Sequence, residues 1–202
     1  NPASPAIGAM GRSVSGDVNK VISYARAYAN GLTDSGVLYS YKHFPGHGSA
    51  AGDTHAGKVD ITNTWTDKEL EPYRQLIDTN MPGIVMVGHV MHTELDDEYP
   101  ASLSKKIITG ILRKEMGYNG VVASDDLQMG AIYETYGLRD TLRLAILAGN
   151  DIMLLGNNLT YTPNIGRTAH EQIVDMVKSG DIPRYRIHES YKRIIKLKKS
   201  MQ

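Results

Sequence analysis

Four short, almost continuously apolar segments recur along this 202-residue chain, and they restrict its fold more than any other feature. They cover residues 37–41, 83–88, 120–124 and 151–156. Apolar runs of about four to eight residues without alternation are typical of strands that are buried on both faces, as in a parallel sheet. The sequence therefore predicts four parallel strands.

Helical patterns lie between and after these segments. Asp17 and Ser104 are predicted helix caps, and the capping-box pattern of residues 66–69 predicts a helix that continues through Ile77. Gly31 is expected to end the first helix. The alternation of strands and helices predicts an α/β fold, either an open doubly wound sheet or a piece of a barrel. The predicted helices cover about residues 18–31, 66–77, 105–116, 140–148, 165–178 and 187–201.

Charge and composition exclude several classes of protein. The 22 basic and 22 acidic side chains cancel, so no electrostatic nucleic-acid partner is predicted. The chain has no cysteine, which excludes a disulfide scaffold, a cysteine nucleophile and a thiolate zinc site. No apolar stretch reaches the ~18 residues that a membrane span requires.

Polar side chains of the types used in catalysis follow the predicted strands. Parallel α/β proteins place their active sites at the carboxyl ends of strands, where several loops converge. The sequence therefore predicts one active site at this edge of the sheet. In chain order, the four segments are followed by Lys42-His43, His89, Asp125-Asp126 and Asn157-Asn158.

The longest predicted loop covers residues 43–57 and is rich in glycine and histidine. Asp53 and His55 are two residues apart in it, so the carboxylate is able to accept a proton from one ring nitrogen. That contact would orient the ring and leave the other nitrogen for general acid–base catalysis. The spacing alone favours a solvated loop with an incidental Asp-x-His.

Asp125 and Asp126 are candidates for a nucleophile or a base. A carboxylate at the end of a buried strand needs a partner, and Lys42 and Arg12 are candidate cations. In the alternative interpretation Asp126 caps a short helix that starts near Leu127, and Asp125 points into solvent.

A metal site is the main rival interpretation of these residues. Its candidate ligands would serve a mononuclear or dinuclear hydrolase. Pro45 and Gly46 break any helix there, and no His-Glu-x-x-His pattern occurs, which counts against a metal. The candidate ligands are His43, His47, His55, His89, His92 and Asp125.

Three motifs together resemble one enzyme family. Residues 42–48 read Lys-His-Phe-Pro-Gly-His-Gly and are followed by Asp-Thr-His at 53–55. This pattern closely resembles the glycoside hydrolase family 3 β-N-acetylglucosaminidases. Residues 124–129 look like the nucleophile segment of that family, and residues 7–15 are similar to its arginine-serine loop. The likeness covers nearly all of the chain.

The resemblance implies a retaining glycosidase that forms a covalent glycosyl-enzyme. Asp125 would be the nucleophile, and His55, oriented by Asp53, would be the acid and base. The substrate would be a glycan with terminal N-acetylglucosamine, such as a peptidoglycan fragment, in the bacterial cytoplasm, in the periplasm or outside the cell. No metal or organic cofactor is implied. The implied substrate-binding residues are Arg12, Lys42, His43 and His89.

The sequence also departs from the family pattern. Ser49-Ala50 replace a usual Asp-Thr, Thr54 replaces the usual serine of the dyad, and Val14 replaces a phenylalanine. These changes leave the substrate open, so a β-glucosidase or a glycoside phosphorylase on the same fold stays an alternative.

The resemblance implies that residues 1–202 are part of one barrel domain. We expect the C-terminal half of a (β/α)8 barrel, with strands 5–8 and their helices. The first four or so βα units are missing from this chain, and the missing half is an expected partner. A non-catalytic half-barrel fragment is the remaining alternative.

Overall fold

A parallel sheet forms the centre of the structure, a computed structural model that describes residues 1–55, 57–77, 83–158 and 161–201. Its strands, in chain order, are β1 (Tyr39–Phe44), β2 (Val59–Asp60), β3 (Gly83–Val87), β4 (Val90–Met91), β5 (Val121–Asp126) and β6 (Ile152–Leu154). The main sheet has the order β1-β3-β5-β6, and every neighbouring pair is parallel. β2 and β4 form a separate small parallel sheet.

Helices follow the strands and cover the sheet. Within the described residues, no helix is both long enough and apolar enough to cross a membrane. The helices are α1 (Val18–Asp34), α2 (Glu71–Leu76), a π-helix (Lys106–Glu115), α3 (Gly130–Ala148), α4 (Ile165–Ser179) and α5 (Arg184–Lys199), with 3₁₀ turns at Asp67–Glu69 and Ala101–Leu103.

The predicted α/β fold with parallel strands is confirmed. Each of the four apolar segments overlaps one strand of the main sheet, and β1 and β5 continue past the predicted ends at residues 41 and 124. The first strand starts later than predicted, at Tyr39, and continues through Lys42 and His43 to Phe44. Phe44 is fully buried, and this burial keeps the end of the strand in the sheet.

Two helix boundaries differ from the prediction because of local contacts. α1 continues past Gly31 to Asp34, and the chain turns only at Gly36, where φ is +73°. Thr66 makes no side-chain capping bond, so the predicted capping box is not formed. The Glu69 side chain packs against the backbone of Gly46 instead, leaving no space there for a Cβ.

Two later helices start earlier than predicted. α3 begins at Gly130 and is interrupted at Gly137, whose φ of +66° and ψ of 173° are not helical. Two glycines lower the helix propensity of this stretch, but burial of Ile132 in the core favours it. α5 begins at Arg184, directly after Pro183.

Apolar side chains pack mainly on the helical side of the sheet. Val85 and Val87 of β3 are buried there, whereas Ile84 and Met86, which point to the other face, are only partly buried. The strands were predicted to be buried on both faces. In the part of the chain that the structure describes, the face that carries Ile84 and Met86 is only partly covered.

A buried charge cluster lies at the amino end of β6. The Asp151 carboxylate accepts hydrogen bonds from the Val122 amide (3.1 Å) and the Ser190 hydroxyl (2.7 Å). It also pairs with guanidinium groups of the π-helix and α5. These guanidinium groups lie 2.8 Å (Arg113), 3.3 Å (Arg186) and 3.1 Å (Arg193) from the Asp151 carboxylate. The cluster thereby ties both helices to the end of the sheet opposite the predicted site.

Candidate active site

The carboxyl ends of the parallel strands bring the predicted polar residues together. His43 Nε2 of β1 lies 3.5 Å from Asp125 Oδ2 of β5. His89, which follows β3, lies 2.9 Å from the backbone oxygen of Asp126 through its Nε2. Residues from three neighbouring strands thus meet at one edge of the sheet, as their positions after the strands predict.

His43 is a neutral imidazole beside a carboxylate. Burial lowers the pKa of His43 to about 4, although the negative charge of Asp125 acts in the opposite direction. Lys42 and Arg12 add to the lowering through their positive charge. Because the Asp125 carboxylate can only accept, Nε2 is the ring nitrogen that carries the proton. The Nδ1 atom is buried and has no hydrogen-bond partner among the described residues.

The two adjacent aspartates have different partners. Asp126 Oδ1 accepts the amides of Gln128 (3.0 Å) and Gly156 (2.9 Å), so this carboxylate closes the turn after β5 and joins it to the chain after β6. A Cβ at Gly156 would collide with the same carboxylate. Asp125 accepts only the adjacent Asp126 amide among the hydrogen bonds of the described residues, and its Oδ2 faces His43. Of the two carboxylates, Asp125 is therefore the one less engaged by the backbone.

The ring nitrogens of His89 are both engaged inside the protein. Nε2–H donates to the Asp126 carbonyl, because a carbonyl oxygen only accepts, and the Ser102 hydroxyl donates to Nδ1 at 2.7 Å. Burial lowers the pKa of His89, consistent with a neutral ring. His89 is 1% exposed and holds the end of β5, so it has no free nitrogen for a sugar hydroxyl.

Asp53 and His55 form the contact that their spacing predicts. His55 donates to Asp53 Oδ1 from Nδ1 (2.7 Å) and from the backbone amide (3.0 Å). Burial acts to raise the pKa of Asp53, but the two hydrogen bonds from His55 outweigh it and hold this pKa below its ordinary value. The His55 side chain is 53% exposed, so its Nε2 is open to a ligand.

A cavity of about 460 Å³ opens beside His43. Arg12 and Lys42 line it together with Glu69 and with apolar side chains of α1 and α2. Arg12 donates to the Ala6 carbonyl at 3.1 Å. Lys42 and Arg12 were the predicted cationic partners of Asp125, but neither forms an ion pair with it in the described residues. The side chain that faces this carboxylate is the neutral His43.

Two residues of the site have contacts that the sequence did not predict. His47 was considered only as a metal ligand, but its Nε2 lies 3.4 Å from Thr54 Oγ1 and its ring packs edge-on against His43. Ser102 fixes the His89 tautomer from a distant 3₁₀ turn, and no local sequence signal marks it.

Across residues 1–55, 57–77, 83–158 and 161–201, no three His, Asp or Glu side chains are grouped closely enough to hold a metal ion.

Comparisons with known proteins identify the family of the chain. The Glycosyl hydrolase family 3 N terminal domain matches residues 1–197. Beta-hexosaminidase of Tolumonas auensis is 37% identical over 150 residues, which are 73% of this chain and 45% of that protein. Beta-hexosaminidase LpqI of Mycobacterium tuberculosis is 36% identical over 195 residues, which are 93% of this chain and 48% of that protein.

A solved structure has a similar fold. The glycoside hydrolase family 3 beta-N-acetylglucosaminidase of Paenibacillus sp. superimposes with a TM-score of 0.88 at 34% identity, over 100% of this chain and 38% of that one. The chain spans about half the length of the curated relatives it matches. On the family match and on these relatives, the chain belongs to glycosyl hydrolase family 3.

Proposed function

We propose that this chain carries the catalytic residues of a β-N-acetylhexosaminidase that removes terminal β-linked N-acetylglucosamine with retention of configuration. One observation carries the proposal. A carboxylate oxygen of Asp125 that is free of backbone hydrogen bonds faces the neutral His43 at the strand ends, beside a loop that holds the Asp53–His55 pair. The names of the curated relatives support the substrate class.

In this proposal Asp125 is the nucleophile. Its Oδ2 attacks the anomeric carbon and forms a covalent glycosyl-enzyme, which water then hydrolyses. Asp126 is unsuited to this role because its Oδ1 is bound to two backbone amides and its Oδ2 lies against Gly156. The His43 Nε2–H faces Asp125 Oδ2 and orients the attacking carboxylate.

His55 supplies the proton transfers. In the first step its Nε2–H protonates the departing glycosidic oxygen, and in the second step the same nitrogen takes a proton from the attacking water. Asp53 holds the ring through Nδ1 and favours the positive charge that His55 carries before the first transfer. Exposure of the His55 ring gives a leaving group access to Nε2.

Three side chains at the cavity would bind the sugar. Arg12 and Lys42 line the cavity with His43, and cationic donors form strong hydrogen bonds to hydroxyl groups. His89 has a different role in this proposal: it positions the end of β5, since both of its ring nitrogens are bound within the protein.

We also propose that residues 1–202 are half of a (β/α)8 barrel, with β1, β3, β5 and β6 as its strands 5–8. The four strands are neighbours in chain order, as in a barrel, without the reversal of order that marks a doubly wound sheet. A complete barrel takes about 250 residues. The partly covered face with Ile84 and Met86 would point into the barrel, and the other half of the barrel would cover it.

The substrate is tested by comparing glycosides that differ only in the sugar. We expect the intact gene product to cleave an aryl β-N-acetylglucosaminide much faster than the matching β-glucoside, at a rate that added phosphate leaves unchanged. Peptidoglycan fragments with terminal N-acetylglucosamine are the natural substrates we propose. Preference for the glucoside would favour a β-glucosidase, and a rate that requires phosphate would favour a phosphorylase; either result would contradict the proposal.

A further inference from the structure

We infer that His47 is a positioning residue that connects the catalytic dyad to the nucleophile side of the site through Thr54. The inference rests on the proposed function, because it assigns His47 a part in the proton transfers of His55. His47 also lines the cavity beside His43, but in this inference it acts through Thr54 and not on the sugar or the reacting atoms.

The two side chains of the dyad are partly exposed, whereas the residue between them is buried. Asp53 and His55 are 36% and 53% exposed in their side chains, and their hydrogen bonds are to each other. Those bonds shape the dyad but do not fix its place relative to Asp125. Thr54, which stands between them, is 2% exposed and therefore links the dyad to the interior.

The Thr54 hydroxyl contacts His47. Its Nε2 lies 3.4 Å from Thr54 Oγ1, and the His47 ring is itself 5% exposed. A hydroxyl and an imidazole so deeply buried lose their bonds to water, so the pair is costly to separate. The contact thereby holds the backbone of Thr54, and with it the two neighbouring dyad residues, in one place.

The other side of the His47 ring packs on the residue that faces the nucleophile. The His43 and His47 ring centroids are 5.6 Å apart, with the ring planes at 62°. Gly88 packs against both side chains, since a Cβ there would stand 3.1 Å from His43 Cβ and 3.8 Å from His47 Cδ2. His47 is thus confined between His43 and Thr54, and a continuous row of buried contacts runs from Asp125 to the dyad.

The experiment uses leaving groups to separate positioning of His55 from a structural role. The value of kcat/KM reports the step in which the aryl group leaves. A 4-methoxyphenyl β-N-acetylglucosaminide needs a proton from His55, whereas the 2,4-dinitrophenyl glycoside needs little help. A displaced dyad therefore slows the first substrate selectively, while a damaged fold slows both.

Thr54 offers a matched pair of variants. In the intact gene product, Thr54→Val removes the hydroxyl at constant shape, and Thr54→Ser retains it. We expect Thr54→Val to lower kcat/KM about tenfold on the methoxyphenyl glycoside and less than about twofold on the dinitrophenyl glycoside. Thr54→Ser should stay near wild type on both. Thr141→Val, at a fully buried threonine of α3, controls for the loss of any buried hydroxyl.

His47→Phe completes the test, because it retains an aromatic ring against His43 and removes the nitrogen. It should reproduce the selective loss, and the double variant with Thr54→Val should lose little more than either single variant. Equal losses on both substrates, a Thr54→Ser loss as large as that of Thr54→Val, or additive losses would overturn the inference. If the His47→Phe variant does not fold, the comparison of Thr54→Val with Thr54→Ser alone decides whether the inference holds.

Failure of the proposed function has a different signature. A protein that cleaves neither glycoside overturns the proposed function and, with it, this inference. If the protein cleaves both glycosides and His55→Ala shows the selective loss, the function stands, and the Thr54 and His47 variants then test the connection alone.

Discussion

Asp125 and Asp126 show how far the environment of a side chain, and not its identity, decides its chemistry. The two carboxylates are adjacent, yet Asp126 is bound to the amides of Gln128 and Gly156, whereas Asp125 Oδ2 faces His43. Sequence spacing placed both at the strand end but did not separate them. The difference arises from the turn after β6, which is distant in sequence.

Replacement of His55 should affect substrates according to their leaving group. His55→Ala removes the proposed acid, so kcat/KM on a 4-methoxyphenyl β-N-acetylglucosaminide should fall by about 10²–10⁴-fold. On the 2,4-dinitrophenyl glycoside kcat/KM should change little, while kcat falls because the base is missing. Azide, which attacks without a base, should restore kcat on that substrate. Equal falls of kcat/KM on both glycosides would remove His55 from the role of acid.

Stability should decrease as the pH falls below the ordinary histidine range. Burial lowers the pKa of His43 to about 4 from 6.5, and burial also lowers the pKa of His89. Between these pH values the unfolded chain binds protons that the folded chain excludes, so the free energy of unfolding rises with pH. The contribution is complete above about pH 6.5 and is lost as the pH falls toward 4.

Urea unfolding at a series of pH values measures this dependence. In the His43→Gln variant the proton uptake on unfolding near pH 5 should be smaller by about one proton, because one excluded site is gone. A slope identical to that of the wild type would show that His43 titrates normally in the folded protein.

At the level of secondary structure elements, the junction between the ends of β5 and β6 depends on a glycine. Gly156→Ala places a Cβ against the Asp126 carboxylate and strains the bond between that carboxylate and the residue 156 amide. We expect a loss of about 1–3 kcal/mol in the free energy of unfolding. Gly166→Ala, in an open position of α4, should be neutral or slightly stabilising. Equal effects of the two variants in urea unfolding would contradict this assignment.

The strands were predictable because their burial leaves a continuous apolar signature, and β1, β3, β5 and β6 each overlap one of the predicted segments. The first part of α3 was not predictable from the sequence, since Gly130 and Gly137 weaken the local helix signal. The tertiary packing of Ile132 stabilises the helix there. The Asp53–His55 contact was predictable because it spans two residues. The Ser102–His89 hydrogen bond spans thirteen residues and forms only because the fold brings the two side chains together, so the sequence did not predict it.

Over the whole molecule, the two ends of the sheet differ in character. The carboxyl end gathers partly exposed acid and base groups, whereas the amino end holds the fully buried Asp151 among three arginines. In barrel folds the first end carries function and the second carries stability.

Asp151→Ala tests this division. The substitution leaves buried guanidinium groups without their anion, so the free energy of unfolding should fall by about 3–5 kcal/mol. In protein that remains folded, kcat/KM should stay within about twofold of wild type. A selective loss of activity without a loss of stability, measured by urea unfolding beside glycoside hydrolysis, would contradict the division.

In the proposed mechanism Asp125 forms the covalent bond to the sugar. Incubation of the intact gene product with 5-fluoro-N-acetylglucosaminyl fluoride should trap the glycosyl-enzyme, because the fluorine slows the second step more than the activated first step. Mass spectrometry of the digested protein should then find one added sugar on the peptide that contains Asp125, and none in the Asp125→Asn variant. A sugar on Asp126 or on any other residue would contradict the account.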